Sequence, residues 1–291
     1  MKCSVLSSGS KANSTYIETQ NTSILIDCGL SCKKCEIALR NIGVDPQKLD
    51  AIFVTHSHYD HIKGISLFSK KFHVPVYGTY ETLKCIKEPY EPTLINEFST
   101  YKVKDLCIST APTFHDALDS LSFKISSKGQ TIGYLTDVGV TTDILEDFFK
   151  DVSMMILEFN HDPIMLQISD YPYHLKKRIA SSYGHLSNLQ AGEFLKKIYH
   201  KNLKALFLAH ISENTNTKEC AFNEAMKVLN QIDPNTKCYV EALGYIPTNL
   251  YDISKDFNNK NLNKLSINES LNFGSNSSLT KKENTEYEIA I

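Results

Sequence analysis

The chain has 291 residues, of which 42% are hydrophobic and 22% charged, a balance ordinary for a globular protein of one large or two small domains. Its formal net charge of −2 excludes a global attraction to polyanions, so any contact with nucleic acid must be a local patch. No stretch approaches about 18 uninterrupted apolar residues, which excludes a transmembrane helix.

The start, Met1-Lys2-Cys3-Ser4-Val5-Leu6, has too short an apolar run for a signal peptide and reads as a first strand. The eight cysteines are scattered, and without a secretion signal they predict reduced thiols and a cytoplasmic protein. Ser7 to Ser14 is a loop of small, turn-forming residues. Tyr16–Thr19 and Ser23–Asp27 read as two further strands, so the chain opens as a meander. Asp27 ends its strand beside Cys28 and Gly29, either as a turn or cap or as a group that orients a neighbouring loop. Ser31 to Asn41 reads as a helix with Ile37, Leu39 and Ile42 inward. Its Cys32-Lys33-Lys34-Cys35 lacks a thioredoxin-like context and reads as two incidental thiols.

Ala51–Thr55 is then a buried strand, followed by a polar cluster and a helix over 66–72. Further strands are predicted at Val74–Gly78, from Cys107 toward Ala117, at Leu121–Ile125 and at Thr131–Gly139. Others are predicted from Met154 toward Asp162, at Ala205–His210 and at Lys237–Ala242. Helices are predicted at Thr82–Lys87, Leu145–Lys150, Lys176–Ile179, Leu189–Tyr199 and Ala221–Leu229, with Ser187 or Asn188 capping the fourth. From Asp252 the composition turns to Asn, Ser and Lys, which predicts a disordered or loosely attached tail over 252–291 behind a domain over 1–251.

The polar cluster after the Ala51 strand is His56-Ser57-His58-Tyr59-Asp60-His61, with three histidines and an aspartate inside six residues. Four such groups at a strand end cannot all be core residues, because an unpartnered buried imidazole or carboxylate is costly. Divalent metal coordination satisfies all of them. Other strands also end in polar groups, at Asp27, His115, Asp137, Glu158 and His210. Strand ends of this kind, repeated along one chain, predict a shared cleft where α/β sheets place their sites.

The motif, with Asp27 upstream and His115, Asp137 and His210 downstream, resembles the metallo-β-lactamase fold. That resemblance implies an α/β fold, an αββα four-layer sandwich with two mixed sheets and a two-metal site. It assigns His56, His58 and His115 to one metal, Asp60, His61 and His210 to the second, and Asp137 to both. Two divalent ions, Zn²⁺ or Mn²⁺, about 3.5–4 Å apart can share a hydroxide and clamp the attacking and leaving oxygens. Asp60 is also assigned to orienting the attacking water.

Ser8-Gly9-Ser10-Lys11-Ala12-Asn13, Phe114-His115-Asp116-Ala117, Glu158-Phe159-Asn160-His161-Asp162, Gly184-His185-Leu186-Ser187-Asn188 and Leu208-Ala209-His210-Ile211-Ser212 are more closely similar to the YycJ (WalJ) family. Ala12, Ser57 and Tyr59 depart from that family's usual residues, at positions that do not ligate metal. The resemblance implies a phosphodiesterase linked to 5′-to-3′ exonuclease activity on DNA, more than RNA. Through tRNA 3′-processing nucleases of the same fold, it makes His185 the proton donor to the leaving oxygen, paired with Glu158. A carboxylate beside a histidine favours its protonated form. Ser10, Asn13, Asn160, His161 and Arg178 are candidate substrate contacts, with Lys176 and Lys177 beside Arg178 as possible phosphate contacts. Two other functions are consistent with the residues. A small-molecule hydrolase of the lactonase or thioesterase kind would not need His185, Glu158 or a basic rim. A non-catalytic metal-stabilised partner protein would not need an open two-metal site.

Overall fold

Apolar runs long enough to be strands here rarely alternate with polar residues, and the fold explains why. The computed structural model describes residues 1–255, and the rest of the predicted tail lies outside the described residues. Among the described residues there are two seven-stranded sheets. The first contains β1 Lys2–Ser7, β2 Ser14–Glu18, β3 Ser23–Ile26, β4 Ala51–Phe53, β5 Val76–Gly78 and β6 Pro92–Leu94 in sequence order. The second contains β7 Thr100–Val103, β8 Leu106–Pro112, β9 Leu121–Ser127, β10 Gln130–Leu135, β11 Met154–Glu158, β12 Ala205–Ala209 and β13 Tyr239–Ala242. The short β14, Tyr251–Asp252, pairs antiparallel with β1 at the edge of the first sheet.

Each sheet starts as an antiparallel meander and continues in parallel, β3 to β6 in the first and β10 to β13 in the second. The parallel pairs need crossovers, and helices supply them. These are α1 Cys32–Asn41, α2 Tyr59–Ile62, α3 Ile65–Phe72 and α4 Tyr80–Lys84 in the first half. In the second half they are α5 Asp143–Phe149, α6 Pro163–Ile168, α7 Tyr173–Ile179, α8 Asn188–Ile198 and α9 Lys218–Ile232.

Strands covered on both faces read as continuous apolar runs. In β3, Ile24 and Ile26 join the core between the sheets, while Leu25 joins the core under α1 and α3. In β12, Ala205, Phe207 and Ala209 face the first sheet, while Leu206 and Leu208 face α8 and α9. Three separate apolar cores therefore lie between four layers, helix, sheet, sheet and helix. The predicted αββα sandwich is the observed fold.

Departures from the predicted elements are local. Ile37 is 47% exposed, because α1 turns Cys35, Ala38 and Leu39 inward at the helical spacing of three and four residues. Ser187 caps α8 as predicted, with Gln190 completing a capping box. The edge strands β6 and β7, with at least half their residues exposed, and α6, whose Pro163 occupies its first turn behind the Asp162 cap, were not expected.

Phe123 of β9 meets Phe53 of β4 edge-on across the sheets at 6.0 Å, and Phe53 stacks on Tyr77 at 4.5 Å. Both phenylalanines are fully buried. Phe123→Ala is expected to lower unfolding free energy by about 3–5 kcal/mol, read from the urea midpoint of metal-free protein. A loss below about 1 kcal/mol would mean that the two sheets close over the gap.

Candidate metal centre

All six polar strand ends meet at one edge of the sandwich, where parallel strands of both sheets finish. Three of these residues leave their strand through a left-handed turn, Asp27 at φ 60°, Asp137 at φ 56° and His210 at φ 53°. Non-glycine residues adopt this conformation at a cost, which persists where surrounding contacts enforce it.

Four histidines are oriented by a partner at Nδ1. His61 Nδ1 lies 2.7 Å from Asp27 Oδ2. His56 Nδ1 lies 3.0 Å from Thr55 Oγ1, whose hydroxyl donates to Asp27 Oδ2 at 2.9 Å. His115 Nδ1 is 3.0 Å from the Gly184 carbonyl, and His210 Nδ1 is 3.2 Å from Glu158 Oε1. Carboxylate and carbonyl partners fix the proton on Nδ1, which leaves Nε2 as the lone pair facing the centre. His58 is turned the other way. Its Nδ1 lies 3.2 Å from His115 Nε2, while its Nε2 lies 3.6 Å from Asp116 Oδ1.

The nitrogens and oxygens left over converge. His56, His58 and His115 offer atoms within 4.8 Å of one another, and so do Asp60, His61 and His210. Asp137 spans the two groups, with Oδ2 at 3.2 Å from His61 Nε2 and Oδ1 at 3.4 Å from His210 Nε2 and 3.7 Å from His115 Nε2. His56 Nε2, His210 Nε2 and Asp137 Oδ2 are buried without a hydrogen bond. Buried polar atoms are nearly always satisfied, so orphans aimed at one space fit a divalent cation.

Electrostatics agree. Burial keeps His56, His58 and His115 below the usual histidine pKa, so they are neutral imidazoles. Burial acts on His61 and His210 as well, but Asp60 and Asp137 outweigh it and raise both, His210 to about 10. This half of the centre therefore attracts positive charge, which a metal supplies by displacing protons.

Asp27 resolves in favour of orientation: it is fully buried and also accepts the Thr55 amide at 2.8 Å. Its turn presses on the short helix α2. A Cβ on Gly29 would sit 1.6 Å from the Asp60 carbonyl oxygen, and the Cys28 amide donates to the His61 carbonyl at 2.9 Å.

Glu158 is fully buried and Oε2 accepts the Val138 and Leu186 amides at 3.2 and 3.0 Å. Its Oε1 lies 2.8 Å from His185 Nδ1. Burial would raise its pKa, but His185 and His210 outweigh burial and hold it at about 2.

Three expected substrate contacts, Asn13, Asn160 and His161, are buried. Asn13 is buried and gives its amide to Gly9 and to Asp60 Oδ2 at 2.9 Å, so it braces α2. Asn160 is buried with its amide on the His210 carbonyl at 2.9 Å. His161 is buried, and burial lowers its pKa to about 4. A short polar side chain near a ligand serves as readily as a brace as it serves a substrate, and only its direction decides. Ser10 is exposed, as is Arg178, whose Nε donates to Asp116 Oδ2. Thr55, Asp116 and the Gly184 carbonyl were not singled out. Thr55 and Asp116 adjoin His56 and His115 in sequence, a signal that could have found them.

A family model described as the Metallo-beta-lactamase superfamily matches residues 8–153. Exodeoxyribonuclease WalJ of Streptococcus pneumoniae serotype 2 is 32% identical over 240 residues, covering 80% of this chain and 89% of that protein. Exodeoxyribonuclease YycJ of Bacillus anthracis is 31% identical over 236 residues, covering 78% and 89%. The metallo-beta-lactamase fold protein YhfI from Bacillus subtilis superposes with a TM-score of 0.64 over 85% of this chain and 98% of its own, at 19% identity, a likeness of fold alone.

Partners that orient metal-binding histidines are worth about 10–100-fold in metal affinity. Asp27→Asn is expected to weaken zinc binding by that factor in competition with a chromophoric chelator. Unchanged affinity would show that Thr55 Oγ1, 3.2 Å from His61 Nδ1, alone orients His61.

Proposed function

The chain belongs to the metallo-β-lactamase superfamily of metal-dependent hydrolases and, within it, to the WalJ/YycJ family, and from that premise we propose that it is a two-metal phosphodiesterase acting 5′ to 3′ on DNA. The observation that carries this reading is the contact of 2.8 Å between His185 Nδ1 and the buried Glu158. The relatives named exodeoxyribonucleases support the choice of polymer.

In this reading His56, His58 and His115 hold one divalent ion, zinc or manganese, and Asp60, His61 and His210 hold the other, with Asp137 serving both. Bound there, the two ions would activate water and neutralise charge on a phosphodiester. Asp60 has the further task of orienting the attacking water. Glu158 accepts the Nδ1 proton of His185 and so directs its Nε2 outward, where the side chain is 19% exposed. From that nitrogen His185 gives a proton to the departing alkoxide, which is a poor leaving group until protonated. In the same reading Arg178 and Ser10, both exposed, would meet backbone phosphates. A lactonase or thioesterase would use the same ligands without the dyad or the guanidinium at the rim. Cytoplasmic action is consistent with eight cysteines that form no disulfide and with the lack, among the described residues, of a helix long and apolar enough to cross a membrane.

The test is cleavage of 5′-labelled and 3′-labelled linear DNA and RNA with Mn²⁺ or Zn²⁺, beside a chelator control and His58→Ala. Metal-dependent release of nucleotides from the 5′ end of DNA, lost in His58→Ala, is expected. His185→Ala is expected to lose about 10²–10⁴-fold in kcat while retaining its metal. No cleavage of any polymer with either metal would sink the nuclease reading.

A further inference from the structure

Two aromatic side chains at the rim of the centre have no role so far. Phe114 immediately precedes His115 and is 43% exposed, and Tyr183 lies two residues before His185 and is 54% exposed. Their rings meet edge-on, with centroids 6.0 Å apart and planes at 63°. Neighbouring large apolar side chains left open beside a polar cleft mark a contact surface more often than an isolated exposed ring does.

Both rings stand on backbone tied to the metal-competent residues. The Gly139 amide donates to the Phe114 carbonyl at 2.8 Å. Gly139 also lets the Tyr183 loop approach: a Cβ there would lie 2.4 Å from the Ser182 carbonyl and 2.6 Å from the Gly184 nitrogen. The Gly184 carbonyl, one residue past Tyr183, is the group that orients His115. The loop is closed on its far side by the His185 amide donating to Ile179 at 2.9 Å. The pair is thus presented rigidly, so little ordering is lost when a flat ligand settles on it.

Charge beside the pair is of the sign a polyanion needs. Arg178 is 58% exposed and is held by Asp116, whose other oxygen lies 3.3 Å from His115 Nε2. Lys177, the next residue back on α7, is exposed. A guanidinium for phosphate next to aromatic faces for a base is the arrangement that binds single strands without reading sequence, since every base has a π face.

Building on the nuclease reading above, we infer that Phe114 and Tyr183 form a stacking subsite for the nucleobase adjoining the scissile phosphate of a single DNA strand, with Arg178 taking a neighbouring phosphate. Base stacking of this kind makes the enzyme tolerant of sequence and favours frayed or single-stranded ends over blunt duplex ends, whose terminal base is already stacked.

Two measurements test this. The first is a fluorescence titration of the metal-loaded protein with single-stranded oligonucleotides carrying 2-aminopurine at the 5′ end and phosphorothioate linkages that suppress turnover. Quenching on binding is expected for wild type and Tyr183→Phe, with affinity about tenfold weaker for Tyr183→Ala and for Phe114→Ala. The second compares kcat/KM on such an oligonucleotide with that on bis(p-nitrophenyl) phosphate, a diester without a base. Tyr183→Ala is expected to lose at least about tenfold more on the oligonucleotide. Equal losses on both substrates would mean that the pair merely shapes the loop, and would overturn the inference. Absence of quenching in wild type would overturn it as well. If wild type shows quenching but cleaves no DNA, the stacking subsite stands and the nuclease reading falls.

Discussion

The structure is organised around a shortage of hydrogen-bond partners. His56 Nε2, His210 Nε2 and Asp137 Oδ2 are buried, point into one space and make no hydrogen bond. Each such atom costs about 1–3 kcal/mol if left unsatisfied, more where charge is involved. Orphans gathered around one space call for something that completes the set. The neutral imidazoles on one side and the carboxylate-rich group on the other together fit divalent cations.

Holding those atoms apart from protein partners requires that every other polar atom of the same side chains be held firmly. Asp27 does this for His61 directly and for His56 through Thr55. Glu158 does it for His210 and His185 together. Asn13 does it for Asp60. The anchors are backbone groups or buried side chains on strands and short loops of both sheets, so the geometry of the centre is a property of the sandwich as a whole.

Most of this was legible in the sequence, for a physical reason. Strands buried on both faces appear as apolar runs, and a polar residue ending such a run must have a purpose, which singled out His56, His115, Asp137, Glu158 and His210. The spacing within His56-Ser57-His58-Tyr59-Asp60-His61 did the rest. What stayed hidden depends on direction. Asn13 and Asn160 sit beside candidate ligands, and sequence cannot tell an amide turned toward a brace from one turned toward solvent. The left-handed turns at Asp27, Asp137 and His210 leave no mark when the residue is not glycine. The exposed edge strands β6 and β7 lack the burial that makes an inner strand visible.

The way the chain closes on itself has a consequence for its synthesis. The His210 amide donates to Ser8 Oγ, and Ser8 is in turn held by the Gly244 carbonyl. β1 is completed by the Thr248 amide on Val5 and by pairing with Tyr251 and Asp252. Every candidate ligand has been made by His210, yet the loop that supports the last of them waits for residues more than thirty positions further on. Contacts of such long sequence separation form late and slowly. Until those residues are made the nascent chain carries an open β1 edge, a stage at which a chaperone that shields exposed strand edges has most to offer.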